Sequence, residues 1–246
     1  MTGTEGERRP RVSVVIPCKN EAENLPLVLP RLGEQIDEVV VVDSNCTDDT
    51  VEVARRLRPD VLVVAARAPG KGAALREGIR AATGEVIVTM DADGSNDPDE
   101  VPAMLAALRH GADFVKGSRY LPGGGSADST WLRDLGARAI RGVFNVVHRT
   151  RHTDLLYGYS AFRAVHREVV VPHCDGFEVE AVINANVARA GLRIVELPSV
   201  EAARVHGSSK LRPVRDGARI IRAILEGARR DGRAPAPAAS PGSAAP

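Results

Sequence analysis

Aromatic side chains are scarce in this sequence of 246 residues, at only 3% of the chain. So few rings argue against a binder of single-stranded nucleic acid, because such proteins stack bases on aromatic platforms. Charge of either sign is not in excess, since 33 Lys and Arg face 32 Asp and Glu and the formal net charge is +1. This balance gives no support for a general polyanion binder. We therefore expect no nucleic-acid partner.

Cysteine and long hydrophobic runs are also scarce. The three cysteines, Cys18, Cys46 and Cys174, form neither a metal-type pair nor a disulfide framework, which is typical of a reducing cytoplasm. No run of about 18 apolar residues could span a bilayer. The N-terminal MTGTEGERRPR lacks the apolar core of a signal peptide. These absences predict a cytoplasmic protein that is soluble or at most peripheral on a membrane.

Short β-branched runs alternate with helical segments in the first part of the chain. The predicted strands are 12–17, 38–43, 61–66 and 85–91, and the predicted helices between them are 21–33, 50–58 and 73–83. Alternation of this kind is typical of βαβ units, which form a parallel sheet covered by helices. The sequence therefore predicts an α/β fold.

The remaining chain carries further strands and helices before an Ala/Pro-rich end. The predicted strands are 112–120, 153–163 and 193–200, and the predicted helices are 131–147, 178–190 and 213–230. We expect a flexible tail at 1–10, one catalytic domain at 11–212, a C-terminal helix at 213–230 and a disordered tail at 231–246.

Polar residues follow each predicted parallel strand, where ligands bind in sheets of this type. Asp91 and Asp93 follow the fourth strand, and such oxygen ligands suit Mg²⁺ or Mn²⁺. The same two residues would also suit a helix cap and a turn. An EF-hand is excluded because its twelfth position, counted from Asp91, is Pro102. No G-x-G-x-x-G follows the first strand, so a dehydrogenase loses its main support.

Five motifs occur in order along the chain: PCKNEAENLP, VDSNCTDDT, GKGAALREG, MDAD and GSRY. This set resembles family-2 glycosyltransferases of the GT-A fold, a Rossmann-like fold with a mostly parallel central sheet. Within that family it is most similar to the branch of dolichol- and polyprenyl-phosphate sugar synthases. The later stretch RVHGSSKL resembles the R-x-x-G-x-S-K-L segment of the same branch. The resemblance spans residues 12–212 and implies one catalytic domain.

The resemblance implies a nucleotide-sugar site at the sheet edge. In the family, the acid that ends the second strand binds the base or ribose, which assigns Asp43, and the loop that holds Lys71 lies near the nucleotide. The residues implied for this site are Pro17, Asn20, Glu21, Asp43, Lys71, Asp91 and Lys210. An ordinary helix-leading acid and a solvated loop lysine remain alternatives for Asp43 and Lys71.

The resemblance also implies a divalent metal, Mg²⁺ or Mn²⁺. Asp91 and Asp93 match the D-x-D motif of the family, with Asp93 as the catalytic, directly ligating acid. His206 matches a late metal ligand of some relatives, although it would equally suit a loop histidine. The third ligand of the synthases falls on Ser95, where many relatives carry glutamine, so the third ligand stays open.

Basic residues match the positions at which the synthases hold the acceptor phosphate. Arg119 and Arg133 are implied there, while Arg204 and Lys210 would close over the diphosphate and the acceptor phosphate. A guanidinium binds phosphate bidentately at any relevant pH. The resemblance thus implies an inverting enzyme that moves a hexose from a GDP-mannose or UDP-glucose type donor to a polyprenyl phosphate.

The segment DGFEVE leaves open an acceptor other than a lipid phosphate. It lies where many family-2 enzymes carry a catalytic acid. Asp175, Glu178 and Glu180 are candidates, and Glu178 as a general base would favour a soluble hydroxyl acceptor such as a natural product or sugar acid. Acids in a first helical turn also favour the helix dipole without any catalytic role. A third possibility is a catalytically silent nucleotide-binding module.

The last predicted helix bears on membrane contact. Its predicted apolar face carries Val214, Ala218, Ile221, Leu225 and Ala228, and the flanking arginines are Arg215, Arg219 and Arg222. A basic amphipathic helix can rest on an anionic membrane. Packing of the same face on its own domain, with a solvated basic edge, is the alternative.

Overall fold

The computed structural model describes residues 8–127, 129–207 and 213–231. Within these ranges, the strands are β1 Val12–Cys18, β2 Glu38–Asp43, β3 Leu62–Ala65, β4 Val86–Thr89, β5 Phe114–Ser118, β6 Gly125–Ser126, β7 Ser160–Arg163, β8 Ile194–Pro198 and β9 Val200–Glu201. The α-helices are α1 Leu25–Val28, α2 Thr50–Leu57, α3 Lys71–Ala81, α4 Val101–Arg109, α5 Trp131–His148, α6 Arg167–Val170, α7 Val179–Arg189 and α8 Pro213–Asp231. The predicted α/β fold is confirmed.

Seven of the described strands form one sheet in the order β3-β2-β1-β4-β7-β5-β8, and β6 pairs with β9 separately. The first four strands are parallel, so their carboxyl ends meet at one edge. The register aligns Cys18 with Asp43 and Asp43 with Ala65. Strands β1, β2 and β4 are valine- and isoleucine-rich and largely buried, as expected for strands covered by helices on both faces.

Helix α3 lies close against the middle of the sheet because it carries Gly78. A Cβ at this position would overlap Cγ1 of Val15 and lie 2.6 Å from Cγ2 of Val42. Gly142 of α5 is the opposite case, since a Cβ there would meet no heavy atom within 4 Å. The two glycines therefore offer a matched pair for testing the packing of this layer.

Gly78→Ala should destabilise the protein by about 1–3 kcal/mol through overpacking. Gly142→Ala should instead stabilise it by up to about 1 kcal/mol, because alanine has the higher helix propensity. Denaturant unfolding of both variants measures the difference. Equal shifts of the unfolding midpoint in the same direction would contradict the close approach of α3 to the sheet.

Three parts of the fold differ from the sequence prediction. Strand β7 pairs antiparallel with β4 and β5, and only 160–163 of the predicted strand 153–163 is extended. The backbone amides of Thr153 and Asp154 donate to the Glu196 carboxylate instead of to a neighbouring strand. Helix α4, directly after the acidic loop, was not predicted. The irregular helix predicted for 21–33 is reduced to α1 and a following 3-10 turn.

Helix α8 packs against α5 and α7, but on a different face from the predicted one. Asp216, Ile220 and Ile224 are buried, while Ile221 and Leu225 are 39% and 46% exposed. The side chains of Val214 and Ala228 and the whole of Lys210 lie outside the described residues. In the ranges that the structure covers, no helix is both long and apolar enough to cross a bilayer.

Candidate active site

A cavity of about 590 Å³ lies at the carboxyl edge of the parallel strands. The sequence-predicted site residues that line it are Pro17, Glu21, Lys71, Asp91, Asp93, Arg119, Arg133 and Arg204. Ser95 and Glu180 line it as well. Residues far apart in the chain therefore meet in one space. Asn20, Asp43, Glu178 and His206 do not belong to this lining.

Asn20 and Asp43 hold the loops that follow β1 and β2 at one end of the cavity. Asp43 accepts a 2.7 Å hydrogen bond from the backbone of Cys46. Asn20 has a positive φ of 56° and accepts a 2.8 Å bond from the backbone of Thr47. The Asn20–Thr47 bond ties the loop after β1 to the loop after β2, which supplies Ser44 and Asn45 to the lining. The Asp43–Cys46 bond lies within the loop after β2. Both residues therefore hold loops that form the cavity wall, and neither is itself part of the lining.

Lys71 joins two acids beneath the cavity. Its Nζ lies 2.7 Å from Asp91 and 2.8 Å from Glu180. Burial would lower the pKa of Lys71, but the charges of Asp91 and Glu180 outweigh it and raise that pKa, so the amine is charged. Gly158 leaves room for the group, since a Cβ there would lie 2.7 Å from the Lys71 Nζ.

Lys71 is placed by the turn that precedes α3. Gly70 has a φ of +119°, a conformation that favours glycine, and a Cβ there would overlap the carbonyl oxygen of Asp175. The amide of Gly72 donates a 2.9 Å bond to the same oxygen. The glycines on both sides of Lys71 therefore dock the start of α3 against the loop that precedes α7.

The second acid of the D-x-D motif is held by Arg204. An Nη of Arg204 donates a 2.7 Å bond to Asp93, and the other Nη lies 3.2 Å from Glu21. The remaining Asp93 oxygen accepts from the amide of Ser95 at 3.0 Å. Each acid of the motif therefore has a cation beside it, which shows that this end of the cavity attracts positive charge.

The donor set of Asp91 and Asp93 fits a divalent metal. Both carboxylates face one cavity and offer hard oxygen ligands, which suit Mg²⁺ or Mn²⁺. Among residues 8–127, 129–207 and 213–231, no group of three or more His, Cys, Asp and Glu residues could hold a metal ion. The remaining ligands would be waters and substrate phosphates, as is usual for Mg²⁺.

His206 lies beside a separate pocket of about 70 Å³, lined also by Asn20 and Asp48. Its backbone is held by Asn24, which accepts from the His206 amide and donates to the His206 carbonyl oxygen, both at 3.2 Å. The imidazole is exposed. Metal ligation by His206 therefore stays a prediction that this arrangement does not display.

Arg119 is fixed by two carboxylates in the cavity lining. Its Nε lies 2.7 Å from Asp154 and one Nη lies 3.0 Å from Glu201. Burial would raise the pKa of Asp154, but hydrogen bonds from Arg119 and the charge of Lys116 outweigh it and hold that pKa below its usual value. The guanidinium also lies 5.0 Å from the ring centroid of Tyr157. Its orientation is therefore set before any ligand arrives.

Asp154 and Glu201 were missed by the sequence analysis. Asp154 lies near the start of a mostly apolar stretch that was predicted as a strand. An acid in such a stretch is buried only when it is paired, and this is the sequence feature that could have indicated a buried ion pair. Glu201 lies in the short strand β9, which pairs with β6. Both acids act through Arg119.

Arg133 lines the cavity from the first turn of α5. The Arg133 amide donates a 3.3 Å hydrogen bond to the side chain of Thr130, which caps this helix.

Within the DGFEVE segment, Glu180 is the acid that faces the cavity. Glu178 precedes α7 and accepts a 3.3 Å bond from the Gly176 amide. Asp175 pairs with Arg76 at 2.6 Å. The candidate acid at this position is therefore displaced by two residues from the one chosen on sequence alone.

Part of the cavity wall is apolar, and we call it the apolar end. Helices α5 and α8 and two loops form this wall. Its apolar side chains are Leu132, Ala137, Ile140, Leu156, Phe177 and Ile220. One cavity thus joins an acidic end, a basic middle and a hydrocarbon-lined end.

The model of the family described as Glycosyl transferase family 2 matches residues 13–172 of the chain. An uncharacterized glycosyltransferase of Mycobacterium bovis is 37% identical over 205 residues, covering 81% of this chain and 89% of the relative. The undecaprenyl-phosphate mannosyltransferase of Micrococcus luteus is 35% identical over 222 residues, covering 82% and 87%.

A solved structure is also similar. Glucosyl-3-phosphoglycerate synthase from Mycobacterium tuberculosis, in complex with Mn²⁺, UDP and glucosyl-3-phosphoglycerate, superposes with a TM-score of 0.66. It is 26% identical, and the match covers 89% of this chain and 80% of that one. The similarity therefore extends over most of both chains.

Proposed function

Because this chain belongs to glycosyl transferase family 2 and is a glycosyltransferase, we propose that it transfers a hexose from a nucleotide diphosphate sugar to a polyprenyl phosphate. The proposed reaction depends on Mg²⁺ or Mn²⁺ and inverts the anomeric configuration by one in-line attack. The acceptor phosphate oxygen bonds to the anomeric carbon as the bond to the diphosphate breaks.

The observation that carries this proposal is the single cavity with acids at one end and arginines in the middle. A divalent ion bound by Asp91 and Asp93 would neutralise the charge that develops on the departing diphosphate. Arg204 and Lys71 lie at the same acids and would add cationic stabilisation. Arg119 and Arg133 would hold the acceptor phosphate, which is already an anion and needs no strong general base.

The choice of a lipid acceptor is supported by the apolar far wall of the cavity and by the relatives. Removing apolar surface from water contributes about 25 cal/mol per Å² to the free energy of binding. The exposed Leu132 of this wall offers such surface to a lipid chain. The M. luteus relative is named as an undecaprenyl-phosphate mannosyltransferase. A GDP-mannose or UDP-glucose type donor is therefore the first to test.

Incubation of the protein with labelled GDP-mannose or UDP-glucose, Mg²⁺ or Mn²⁺ and undecaprenyl phosphate tests the proposal. Labelled sugar should enter the organic phase only when metal and lipid are both present. A preparation that binds nucleotide yet yields no organic-soluble product with any common donor would exclude the lipid acceptor. Binding of GDP or UDP without any turnover would instead support a silent nucleotide-binding module.

A soluble acceptor is the second candidate, and the position of Glu180 in the cavity favours it. The M. tuberculosis structure also holds the soluble product glucosyl-3-phosphoglycerate. An acceptor hydroxyl would need a carboxylate base, whose loss removes about 10²–10⁴-fold in rate.

Glu180→Gln and Glu178→Gln separate the two candidates. For a lipid-phosphate enzyme, we expect both variants to retain transfer within about tenfold, since no base takes up a proton. A loss of more than about a hundredfold confined to Glu180→Gln would favour a hydroxyl acceptor. Nucleotide binding, measured by calorimetry, controls for the contact between Glu180 and Lys71.

We further propose that the protein contacts the cytoplasmic face of a membrane through α8. The support is the exposed pair Ile221 and Leu225 beside the exposed Arg219 and Arg222, since apolar and basic side chains together favour an anionic bilayer surface. Val165 offers a control, because it is 80% exposed and follows β7 at the end of the sheet opposite the cavity.

Leu225→Asp should weaken sedimentation with phosphatidylglycerol vesicles by about tenfold, the effect of losing one buried apolar side chain. Val165→Asp should bind as the unmodified protein does, although it introduces the same charge. The difference in binding between phosphatidylglycerol vesicles and vesicles of phosphatidylcholine alone measures the electrostatic contribution to membrane binding. Equal loss in the two variants, or none in either, would place the membrane contact elsewhere.

A further inference from the structure

Helices α5 and α8 each place a glycine on the apolar end of the cavity. Gly136 and Gly217 both line this space. A Cβ at either position would meet no heavy atom within 4 Å, and neither residue has a positive φ. Neither a close approach of neighbouring atoms nor backbone conformation therefore accounts for these glycines, although glycine disfavours a helix interior.

The space beside these two glycines, which we call the gap between α5 and α8, also opens the cavity to the surface. Gly136 lines the cavity and is nevertheless exposed, so the apolar end reaches the surface there. A helical glycine with open space beside it does not by itself indicate a binding site. Gly142 of α5 also has open space beside it, but it does not line the cavity. What distinguishes Gly136 and Gly217 is that they lie on two helices around one apolar opening.

The surface outside the opening is apolar as well. Trp131, Leu132 and Leu135 are exposed on the first two turns of α5. Residues spaced by three or four share one face of a helix, so Trp131 and Leu135 lie side by side on the surface of these two turns. Exposed apolar surface of this extent is typical of a binding site for lipid or protein. Its continuity with the cavity indicates a hydrocarbon ligand that passes from the surface to the reacting centre.

The spacing along α5 matches a phosphate joined to a hydrocarbon chain. Arg133, at the basic middle of the cavity, precedes Gly136 by three residues, so both lie on the same side of the helix. The rise between them is about 4.5 Å. A ligand whose phosphate lies near Arg133 would therefore place its next few carbon atoms at Gly136.

We propose that the gap between α5 and α8 at Gly136 and Gly217 binds the isoprene units nearest the phosphate of the acceptor lipid. This subsite rests on the proposed function and adds to it the residues that admit the chain. The chain would continue outward over Trp131, Leu132 and Leu135 in the first two turns of α5, about two turns before Gly142. A small soluble phosphate would not cover the exposed Trp131, Leu132 and Leu135.

Gly136→Leu and Gly142→Leu form a matched pair for the test. Both substitutions lie in α5, both improve helix propensity, and both meet open space, but only the first fills the gap. With undecaprenyl phosphate, Gly136→Leu should raise KM by about tenfold or more, the loss expected when several CH₂ groups are denied burial. Gly142→Leu should stay within about twofold, and Gly217→Leu should behave like Gly136→Leu.

Two further readouts separate the subsite from the reaction. Metal-dependent binding of GDP or UDP should be unchanged in all three variants. The unmodified protein should prefer farnesyl phosphate over dimethylallyl phosphate, and Gly136→Leu should reduce that preference. If the unmodified protein glycosylates the lipid and Gly136→Leu equals Gly142→Leu, the subsite is wrong while the function stands. If the unmodified protein makes no lipid product, both fall.

Discussion

Asp93→Asn should lower glycosyl transfer by about 10²–10³-fold, the effect of removing one group that stabilises charge in a transition state. Asparagine keeps the size of the side chain and can still accept from the Ser95 amide. It removes the negative charge that faces Arg204 and that would hold a divalent metal. Initial rates over a series of Mg²⁺ and Mn²⁺ concentrations measure the loss.

Asp99→Asn is the matched control for this substitution. Asp99 lies six residues later in the same acidic stretch, is 80% exposed, and its carboxylate lies 3.3 Å from Arg31. Its replacement should leave the rate within about twofold, because an exposed ion pair contributes little. Full activity of Asp93→Asn with an unchanged metal dependence would remove the metal site from the proposed function.

Arg119→Lys should lower kcat/KM for the acceptor by about a hundredfold, because lysine cannot reproduce bidentate contacts of a guanidinium. The positive charge beside Asp154 is kept, so the buried carboxylate retains a counter-charge and the fold should persist. Slow hydrolysis of the nucleotide sugar by water, which uses no acceptor phosphate, should be unchanged. Thermal unfolding checks that the variant is folded.

Arg138→Lys provides the comparison for Arg119→Lys. Both guanidinium groups lie near the ring of Tyr120, at 5.8 Å for Arg119 and 5.9 Å for Arg138, but Arg138 is exposed and outside the cavity lining. It should retain the acceptor kinetics of the unmodified protein. Similar losses in both variants would indicate a shared structural effect instead of phosphate binding by Arg119.

The parallel half of the fold could be predicted because its signals are local. Strand β2 has the predicted bounds, 38–43, and β1 differs by one residue. Since parallel strands end at one edge, the positions of Asp91 and Asp93 at a common cavity followed from the order of strands and helices. Neither step required knowledge of a distant contact.

The acceptor half depends on contacts between distant residues. The Glu196 carboxylate accepts hydrogen bonds from the backbone amides of Thr153 and Asp154, some 42 residues earlier in the chain. These amides therefore cannot pair with a neighbouring strand. At the start of α7, Glu178 and Glu180 have the same chemistry, but Glu178 occupies the N-cap position and only Glu180 lines the cavity. A sequence pattern contains neither the partner nor the direction of each side chain.

Helix α8 shows why amphipathic patterns can mislead. Its apolar residues allow two overlapping faces, and the predicted one avoided Asp216. In the structure Asp216 is buried together with Ile220 and Ile224. Burial of a charged residue depends on interactions available only in the folded chain. The predicted apolar face is therefore the exposed one.

At the proposed metal site, the ion pair between Asp93 and Arg204 would make the chain its own competitor for the metal ion. A divalent ion that takes the same carboxylate oxygen must separate Arg204 from it, so the measured metal affinity includes the free energy of breaking a 2.7 Å contact. By linkage, any ligand that draws Arg204 toward its own phosphates tightens metal binding by the same factor. If Asp93 holds the metal as proposed, nucleotide sugar and metal should bind with positive cooperativity, and the Arg204 side chain should change position in the same step.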